Sequence, residues 1–186
     1  YVFLGYFFGA TSESDNKKYV PQSLETVKVT KGPYIDGFKD CANLTNIIMS
    51  DSITTIEYGA FENCTGLSVI TIPSGVTSIP NRYVVGIPNG IFSGCTGLEK
   101  IVVSKGNKTY HSAGNCLIET ASKKIIAGCK NSVIPADGSV TCIGEAAFNN
   151  CTELTNMIIP DGITSIGDKA FDGCTDLTSI ALSDSV

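Results

Sequence analysis

Apolar and polar positions recur along the chain in one repeating unit. Residues 61–73 read FENCTGLSVITIP and residues 171–183 read FDGCTDLTSIALS, and the same order returns at 38–50, 92–104 and 148–160. Each unit has the form Phe-x-x-Cys-x-x-Leu-x-x-Ile-x-apolar, and its last positions alternate as they do in a strand. One unit cannot bury its apolar side chains alone, whereas stacked units cover one another. The pattern therefore predicts a repeat solenoid.

The leucine position of the unit sets the number and length of the coils. The base spacing is 23 residues, and two spacings of 31 predict insertions near residues 81–89 and 110–128. Within the second insertion, the apolar runs Cys116–Glu119 and Lys124–Ala127 predict a hairpin that projects from the stack. After each strand, a turn and a second short extended piece predict an opposite wall. The anchor positions predict about seven coils and are Leu24, Leu44, Leu67, Leu98, Cys129, Leu154 and Leu177.

The units FENCTGLSVITIPSGVTSI and AFDGCTDLTSIALSDSV resemble the BspA-like leucine-rich repeats of bacterial and protozoan surface proteins. The resemblance implies a leucine-rich-repeat, right-handed β-solenoid, mostly β, with parallel short strands on two walls and short helical or 3-10 turns. It also implies a secreted or cell-surface protein that binds other proteins or host surfaces. We expect residues 1–186 to form a single solenoid domain, and we expect the chain to be a fragment of a longer protein.

Composition narrows the classes of partner. The net charge is −5 with 17% charged residues, which argues against nucleic acid or an anionic membrane, since both require a basic surface. The longest apolar run, residues 1–10, is too short to span a bilayer. We expect a monomer that uses no cofactor. Its expected partner is the surface of a protein or glycoprotein, with host proteins among the candidates.

The eight cysteines allow three interpretations. Five of them occupy one repeat position, which favours a small apolar residue that fills a corner of the core. A ladder of disulfides between coils is the alternative, because stacked neighbours lie within bridging distance. A single disulfide between Cys116 and Cys142, which lie off that position, is also left open. Zinc is disfavoured, because no Cys-x-x-Cys pair occurs and His111 is the only histidine. The five repeated cysteines are Cys41, Cys64, Cys95, Cys151 and Cys174.

No catalytic constellation is recognisable. His111 lies in an insertion without a neighbouring nucleophile, and we interpret it as a solvated loop histidine. Asp51, Asp161 and Asp184 share one repeat phase and favour turn formation over calcium binding. We take four Asn-x-Thr tripeptides, which begin at residues 43, 63, 107 and 150, as coincidental matches to the glycosylation pattern. The chain is therefore predicted not to be an enzyme.

The outward side of the leucine-associated strands is the candidate binding surface. Side chains between the inward leucine and isoleucine face solvent, and one row of them is rich in β-branched residues. Strand propensity alone explains such residues, whereas a continuous apolar stripe is typical of an interaction surface. With the inserted loop at residues 82–88, this row predicts contact with a protein partner. The candidate residues are Ile48, Thr71, Val102, Val133, Ile158, Lys100, Arg82 and Tyr83.

Three functions remain open on the sequence. The first is a non-catalytic adhesion or protein-interaction module outside the cell. The second is a structural spacer within a larger surface protein, with binding done by other segments. The third is the targeting domain of a secreted enzyme.

Overall fold

The structure, a computed structural model, describes residue 8 and residues 16–21, 23–80 and 90–186. Every strand is short, with two to four residues. A helical turn, α1 (Asn16–Tyr19), precedes the repeats. The strands are β1 (Thr26–Val29), β2 (Tyr34–Ile35), β3 (Asn46–Met49), β4 (Thr55–Ile56), β5 (Val69–Ile72), β6 (Lys100–Val103), β7 (Tyr110–Ala113), β8 (Cys116–Glu119), β9 (Lys124–Ala127), β10 (Cys142–Ile143), β11 (Asn156–Ile158), β12 (Ser165–Ile166) and β13 (Ser179–Ala181).

The chain winds as coils, numbered 1 to 7 here by their anchor residues from Leu24 to Leu177. The front wall consists of the strands that follow the anchors, and it contains the parallel pairs β1–β3, β5–β6 and β11–β13. The back wall contains the parallel pair β2–β4, a bridge from Thr55 to Ser78, and the parallel strands β9, β10 and β12. The last three belong to a five-stranded sheet, β12-β10-β9-β8-β7, which continues into the antiparallel strands β8 and β7. The predicted two-walled solenoid with parallel strands is confirmed.

Interior columns hold the coils together. Leu44, Leu67, Leu98 and Leu154 are fully buried at equivalent positions. Phe61 stacks between Phe38 and Phe92 with ring centroids 5.7 Å and 6.1 Å apart, and Phe148 stacks on Phe171 at 5.0 Å. Because each of these side chains is covered from an adjacent coil, burial depends on stacking rather than on any single coil.

Each phenylalanine of the repeating unit lies in a tight turn between the back wall and the front wall. The amide of the cysteine three residues later donates to the phenylalanine carbonyl, as in Cys64 to Phe61 at 3.2 Å. Neighbouring turns are also bonded to each other, as in Asp40 N to Glu62 O at 2.8 Å. The residue before the cysteine has a positive φ. It is Asp40, Asn63 or Asn150 in three coils and glycine in two others.

The predicted hairpin of β8 and β9 forms with the predicted bounds, but its predicted location is wrong. Cys116, Leu117 and Ile118 are fully buried, so the hairpin lies within the solenoid rather than projecting from it. A third strand, β7, pairs antiparallel with β8, and β9 pairs in parallel with β10. The two strands enter the interior because six of their eight side chains are apolar, and exposure of these would forfeit burial energy, whereas the polar turn at residues 120–123 stays exposed.

Coil 5 has neither a phenylalanine turn nor the predicted front strand. Its anchor, Cys129, is buried as predicted, and Gly128 precedes it at the point where the chain leaves β9. The segment after Cys129 bonds to the β7–β8 turn instead of continuing the ladder, with Val133 N donating to Gly114 O at 2.8 Å. The Asn115 side-chain amide donates to Asn131 O at 3.0 Å. These bonds replace strand pairing at this level of the front wall.

Candidate binding face

The strand face is the outward side of the front wall. It is positioned by alternation, because Ile47, Ile70, Ile101 and Met157 point inward and are buried, so that their neighbours in each strand point outward. Parallel pairing aligns these neighbours in rows across the coils, as in Thr71 opposite Val102 and Ile158 opposite Ala181. The strand face comprises Ile48, Val69, Thr71, Lys100, Val102 and Ile158 of these strands, together with the exposed Val133, which takes the corresponding repeat position of coil 5 without belonging to a strand.

Most of the predicted contact residues lie on this face. Ile48 is 46% exposed, and Val133 and Ile158 reach 68% and 70%. Thr71 and Lys100 are exposed, whereas Val102 is half-buried. Arg82 and Tyr83, in the inserted loop, lie outside the described residues. The exposed apolar character of the face is therefore concentrated at Val133 and Ile158, more than in an even stripe.

Val69 belongs to this surface although it was not among the predicted contact residues. It lies in β5 opposite Lys100 of β6 and is 43% exposed. Alternation along β5 already indicates its outward position, but it lies one row away from the β-branched row. The exposed apolar atoms therefore extend across two rows rather than one.

A lysine bridges three coils beside the strand face. The Lys130 ammonium lies 3.3 Å from Glu99 Oε1 and 3.2 Å from Glu153 Oε2. The hydrogen bond to Glu153 is the main cause that raises the pKa of Lys130. Because the three groups are solvated, the network contributes little stability, and it orients charge at the rim of the face.

The repeated cysteines form a ladder of thiols that donate to the coil before them. Cys64 Sγ lies 3.0 Å from Phe38 O, Cys95 Sγ 2.9 Å from Phe61 O, and Cys174 Sγ 3.1 Å from Phe148 O. All eight cysteines are free, including Cys116 and Cys142. The ladder agrees with the packing interpretation, with the addition that these three thiols donate to phenylalanine carbonyls, whereas Cys151 Sγ lies 3.9 Å from Gly128 O.

Burial makes these thiols poor nucleophiles and poor metal ligands. Desolvation raises the pKa of Cys41 to about 11 and that of Cys95 and Cys116 to about 12, and it also raises the pKa of Cys64 and Cys151. The thiolate is the reactive form, so reaction with alkylating reagents is suppressed near neutral pH. Among the described residues, no group of three or more His, Cys, Asp and Glu side chains is arranged to hold a metal ion.

The cysteines of the folded protein are expected to react slowly with a thiol reagent at pH 8. In denaturant without a reducing agent, all eight are expected to react rapidly. The reason is that the stacked coils shield most of the thiols, and burial raises the pKa of seven of them, namely Cys41, Cys64, Cys95, Cys116, Cys129, Cys151 and Cys174. A thiol count with and without denaturant checks this. Fewer than six thiols in the denatured sample would contradict the packing interpretation and support disulfides.

The other polar candidates have structural partners. His111 Nδ1 lies 2.9 Å from Thr120 Oγ1. His111 belongs to β7, so the predicted loop position is wrong, whereas its side chain is partly exposed. Asp51 Oδ1 accepts from the Ser74 amide and hydroxyl at 2.9 Å and 2.7 Å, and these bonds lower the pKa of Asp51. Asp51 thus joins the turns of successive coils.

The asparagines of three glycosylation-like tripeptides also link coils. Asn63 Nδ2 donates to Asp40 Oδ1 at 2.8 Å, and Asn150 Nδ2 donates to Ser93 Oγ at 2.9 Å. Asn107 Nδ2 donates to the carbonyls of Pro73 and Val76. These amides serve the stack, which agrees with a coincidental match to the glycosylation pattern.

Comparison with known proteins identifies the family. The BspA type leucine rich repeat region matches in six copies over residues 34–109 and 119–186, and the gap between the two blocks contains β7, the turn after it and most of β8. A search among curated proteins finds no significant match. No helix in the part of the chain that the structure describes has the length and apolar character needed to cross a membrane.

Solved structures with the same fold include surface proteins. A leucine rich cell surface protein of Faecalibacterium prausnitzii is 30% identical with a TM-score of 0.69, over 92% of this chain and 44% of that one. The pneumococcal vaccine antigen PcpA is 21% identical with a TM-score of 0.71, over 88% and 40%. The chain thus spans less than half the length of these two relatives. The repeats, the two walls of parallel strands and the family match over residues 34–109 and 119–186 agree, and the chain belongs to the BspA-type leucine-rich repeat family.

Proposed function

We propose that this chain is a non-catalytic binding module exposed outside the cell, and that its strand face contacts a protein or glycoprotein partner. The observation that carries the proposal is the exposure of large apolar side chains on one face, with Val133 and Ile158 more than two-thirds exposed. Contiguous apolar surface rimmed by polar groups is typical of interaction sites on otherwise solvated proteins.

The surroundings of these side chains support a protein partner. Lys100 and Asn156 point outward two residues before Val102 and Ile158 in their strands, and Asn131 takes the corresponding position before Val133. All three are exposed, so that hydrogen-bond donors and a positive charge accompany the apolar side chains. An apolar centre within a polar rim is the usual anatomy of protein–protein contacts. The net charge of −5 disfavours nucleic acid as the partner.

The location outside the cell is supported by the Faecalibacterium prausnitzii relative, which is described as a cell surface protein. The absence of catalysis is supported by the roles of the candidate groups in the fold. Cys64, Cys95 and Cys174 donate to phenylalanine carbonyls, and the ring of His111 is hydrogen-bonded to Thr120. These groups stabilise coils, and their geometry offers no nucleophile beside a base.

The double variant Val133→Glu/Ile158→Glu is expected to bind a partner at least about tenfold more weakly than the unsubstituted chain. The reason is that two apolar side chains that the partner would cover are replaced by carboxylates, which lose their hydration in the complex. The measurement is surface plasmon resonance of the purified chain against an array of purified extracellular proteins and glycans. Both side chains are exposed, so the melting temperature is expected to stay unchanged.

The matched control is Ser78→Glu/Ser165→Glu, which places the same charges on exposed positions of the back wall. It is expected to bind as the unsubstituted chain does. Equal binding by both double variants would remove the strand face from consideration. If the unsubstituted chain binds nothing on the array, the binding proposal is overturned in favour of the spacer function.

A further inference from the structure

The interior of the solenoid consists of two apolar cores that meet at β8 and β9. The first core extends through coils 1 to 4 and includes Leu117 of β8, Ala127 of β9 and the coil 5 anchor Cys129. The second extends from Ile134 to Ala170 and includes Cys116 and Ile118 of β8 and Ile125 of β9. Successive side chains of a strand point to opposite sides, so β8 faces one core with Leu117 and the other with its two neighbours. All three side chains are fully buried.

The β7–β8 hairpin extends from one wall of the solenoid to the other. At the back wall, the Tyr110 hydroxyl accepts a hydrogen bond from the Ile79 amide at 3.0 Å. At the front wall, the Ser112 hydroxyl accepts from the Val103 amide at 3.1 Å, and Gly114 O accepts from Val133 N. The hairpin therefore crosses the interior instead of covering it from outside.

The features that join other coils are interrupted at the same level. The phenylalanine stack ends at Phe92 and resumes at Phe148, with Gly128 at the intervening position. The turns of coils 4 and 6 touch through polar groups, where Ser93 Oγ lies 2.6 Å from Asn149 Oδ1. The front-wall strand β6 pairs with β5 and packs against β7 and β8. Apolar contact between the halves therefore passes mainly through β7, β8 and β9.

We propose that the β7–β8 hairpin is a diaphragm that divides the solenoid into two stacks which open independently. The N-terminal stack is coils 1 to 4, and the C-terminal stack is residues 134–186. In a solenoid, stability is the sum of coil terms and nearest-neighbour interface terms, so cooperativity extends only as far as strong interfaces do. The strands β8 and β9, each with side chains in both cores, replace a regular coil-to-coil interface here. This inference concerns the fold and does not depend on the proposed binding function.

Native-state hydrogen exchange of the whole chain, measured by mass spectrometry over low denaturant concentrations, tests the diaphragm. Peptides covering residues 67–72 report on the N-terminal stack, and peptides covering 154–163 report on the C-terminal stack. The unsubstituted chain is expected to show two distinct denaturant-dependent opening reactions. Coincident exchange of both sets of peptides at all denaturant concentrations would overturn the proposal.

Two conservative variants of adjacent residues sharpen the test. Ile118→Val is expected to raise exchange in residues 154–163 about fivefold and to leave residues 67–72 within about twofold, since loss of one buried methylene is felt by the core that contains it. Leu117→Val is expected to do the reverse. If either substitution raises exchange in both stacks by the same factor, the solenoid is one cooperative unit and the diaphragm is excluded.

Discussion

Phe61→Ala is expected to lower the free energy of unfolding by about 3–5 kcal/mol, the usual cost of deleting a fully buried aromatic side chain. Phe61 is inaccessible to solvent and lies between the rings of Phe38 and Phe92. Its removal leaves a cavity between three coils that the surrounding backbone, tied by hydrogen bonds from turn to turn, is poorly able to close. Chemical denaturation monitored by circular dichroism measures the effect.

Phe171→Ala is the matched control. Phe171 occupies the same repeat position but is half-buried and stacks on Phe148 alone. We expect a loss of about 1–2 kcal/mol, since less surface is removed from the core. Equal losses for the two variants would show that the phenylalanine position acts through its own turn rather than through stacking.

Gly128→Ala is expected to destabilise the protein by about 3 kcal/mol, at the upper end of ordinary overpacking. A Cβ at this position would lie 2.0 Å from Cε1 of Phe148. The Phe148 ring has little room to move, because it is fully buried and stacks on Phe171. The glycine is therefore required where coil 5 omits its own phenylalanine turn. Thermal and chemical denaturation of the variant measure the cost.

Combination with Phe148→Leu separates this clash from other causes. In the Phe148→Leu background, the smaller side chain leaves space for the new methyl group, so Gly128→Ala is expected to cost less than it does alone. The difference between the two costs is a coupling energy, which we expect to be about 1–3 kcal/mol for groups in direct contact. The same cost in both backgrounds would show that the contact with Phe148 is not the cause.

The regular coils follow from the sequence because each repeat position has one environment. The alignment of anchor leucines predicts the pairing of Lys28 with Ile48 and of Thr71 with Val102, and the parallel ladders have this register. Alternation in a strand fixes which side chains are buried, so the inward and outward rows follow from the pattern. The leucine column, from Leu44 to Leu154, is likewise buried as the pattern predicts.

The region from Tyr110 to Val133 is less predictable, because long-range contacts decide its structure. The polar sequence of β7, YHSA, carries no strong strand signal. The sequence signal for the turn is the Gly114-Asn115 dipeptide, which is typical of a two-residue hairpin loop. In the structure both residues have positive φ, at 55° and 57°, as such a turn requires. That the hairpin lies inside the solenoid and displaces the front strand of coil 5 depends on bonds from Gly114 and Asn115 to Val133 and Asn131. Local pattern does not contain such bonds.

The sequence predicts which side chains lie on the candidate face, but not how exposed each of them is. Strand alternation indicates that Ile48, Val102 and Ile158 point outward, and it treats them alike. The structure separates them, with Val102 half-buried and Ile158 70% exposed. The exposure of Val133 arises from the same inward hairpin, because the coil 5 segment is bonded to the hairpin turn rather than held in a ladder. Side-chain exposure at this place is therefore a tertiary property.

Nuclear Overhauser spectroscopy of the chain with selectively labelled phenylalanine tests most directly whether the coils stack in register. Ring centroids 5.0–6.1 Å apart bring ring protons within range, so cross-peaks are expected between Phe38 and Phe61, between Phe61 and Phe92, and between Phe148 and Phe171. Ring substitution of one phenylalanine at a time assigns them. Absence of the Phe61 cross-peaks in the folded protein would contradict a stacked interior, and with it the outward face on which binding is proposed to depend.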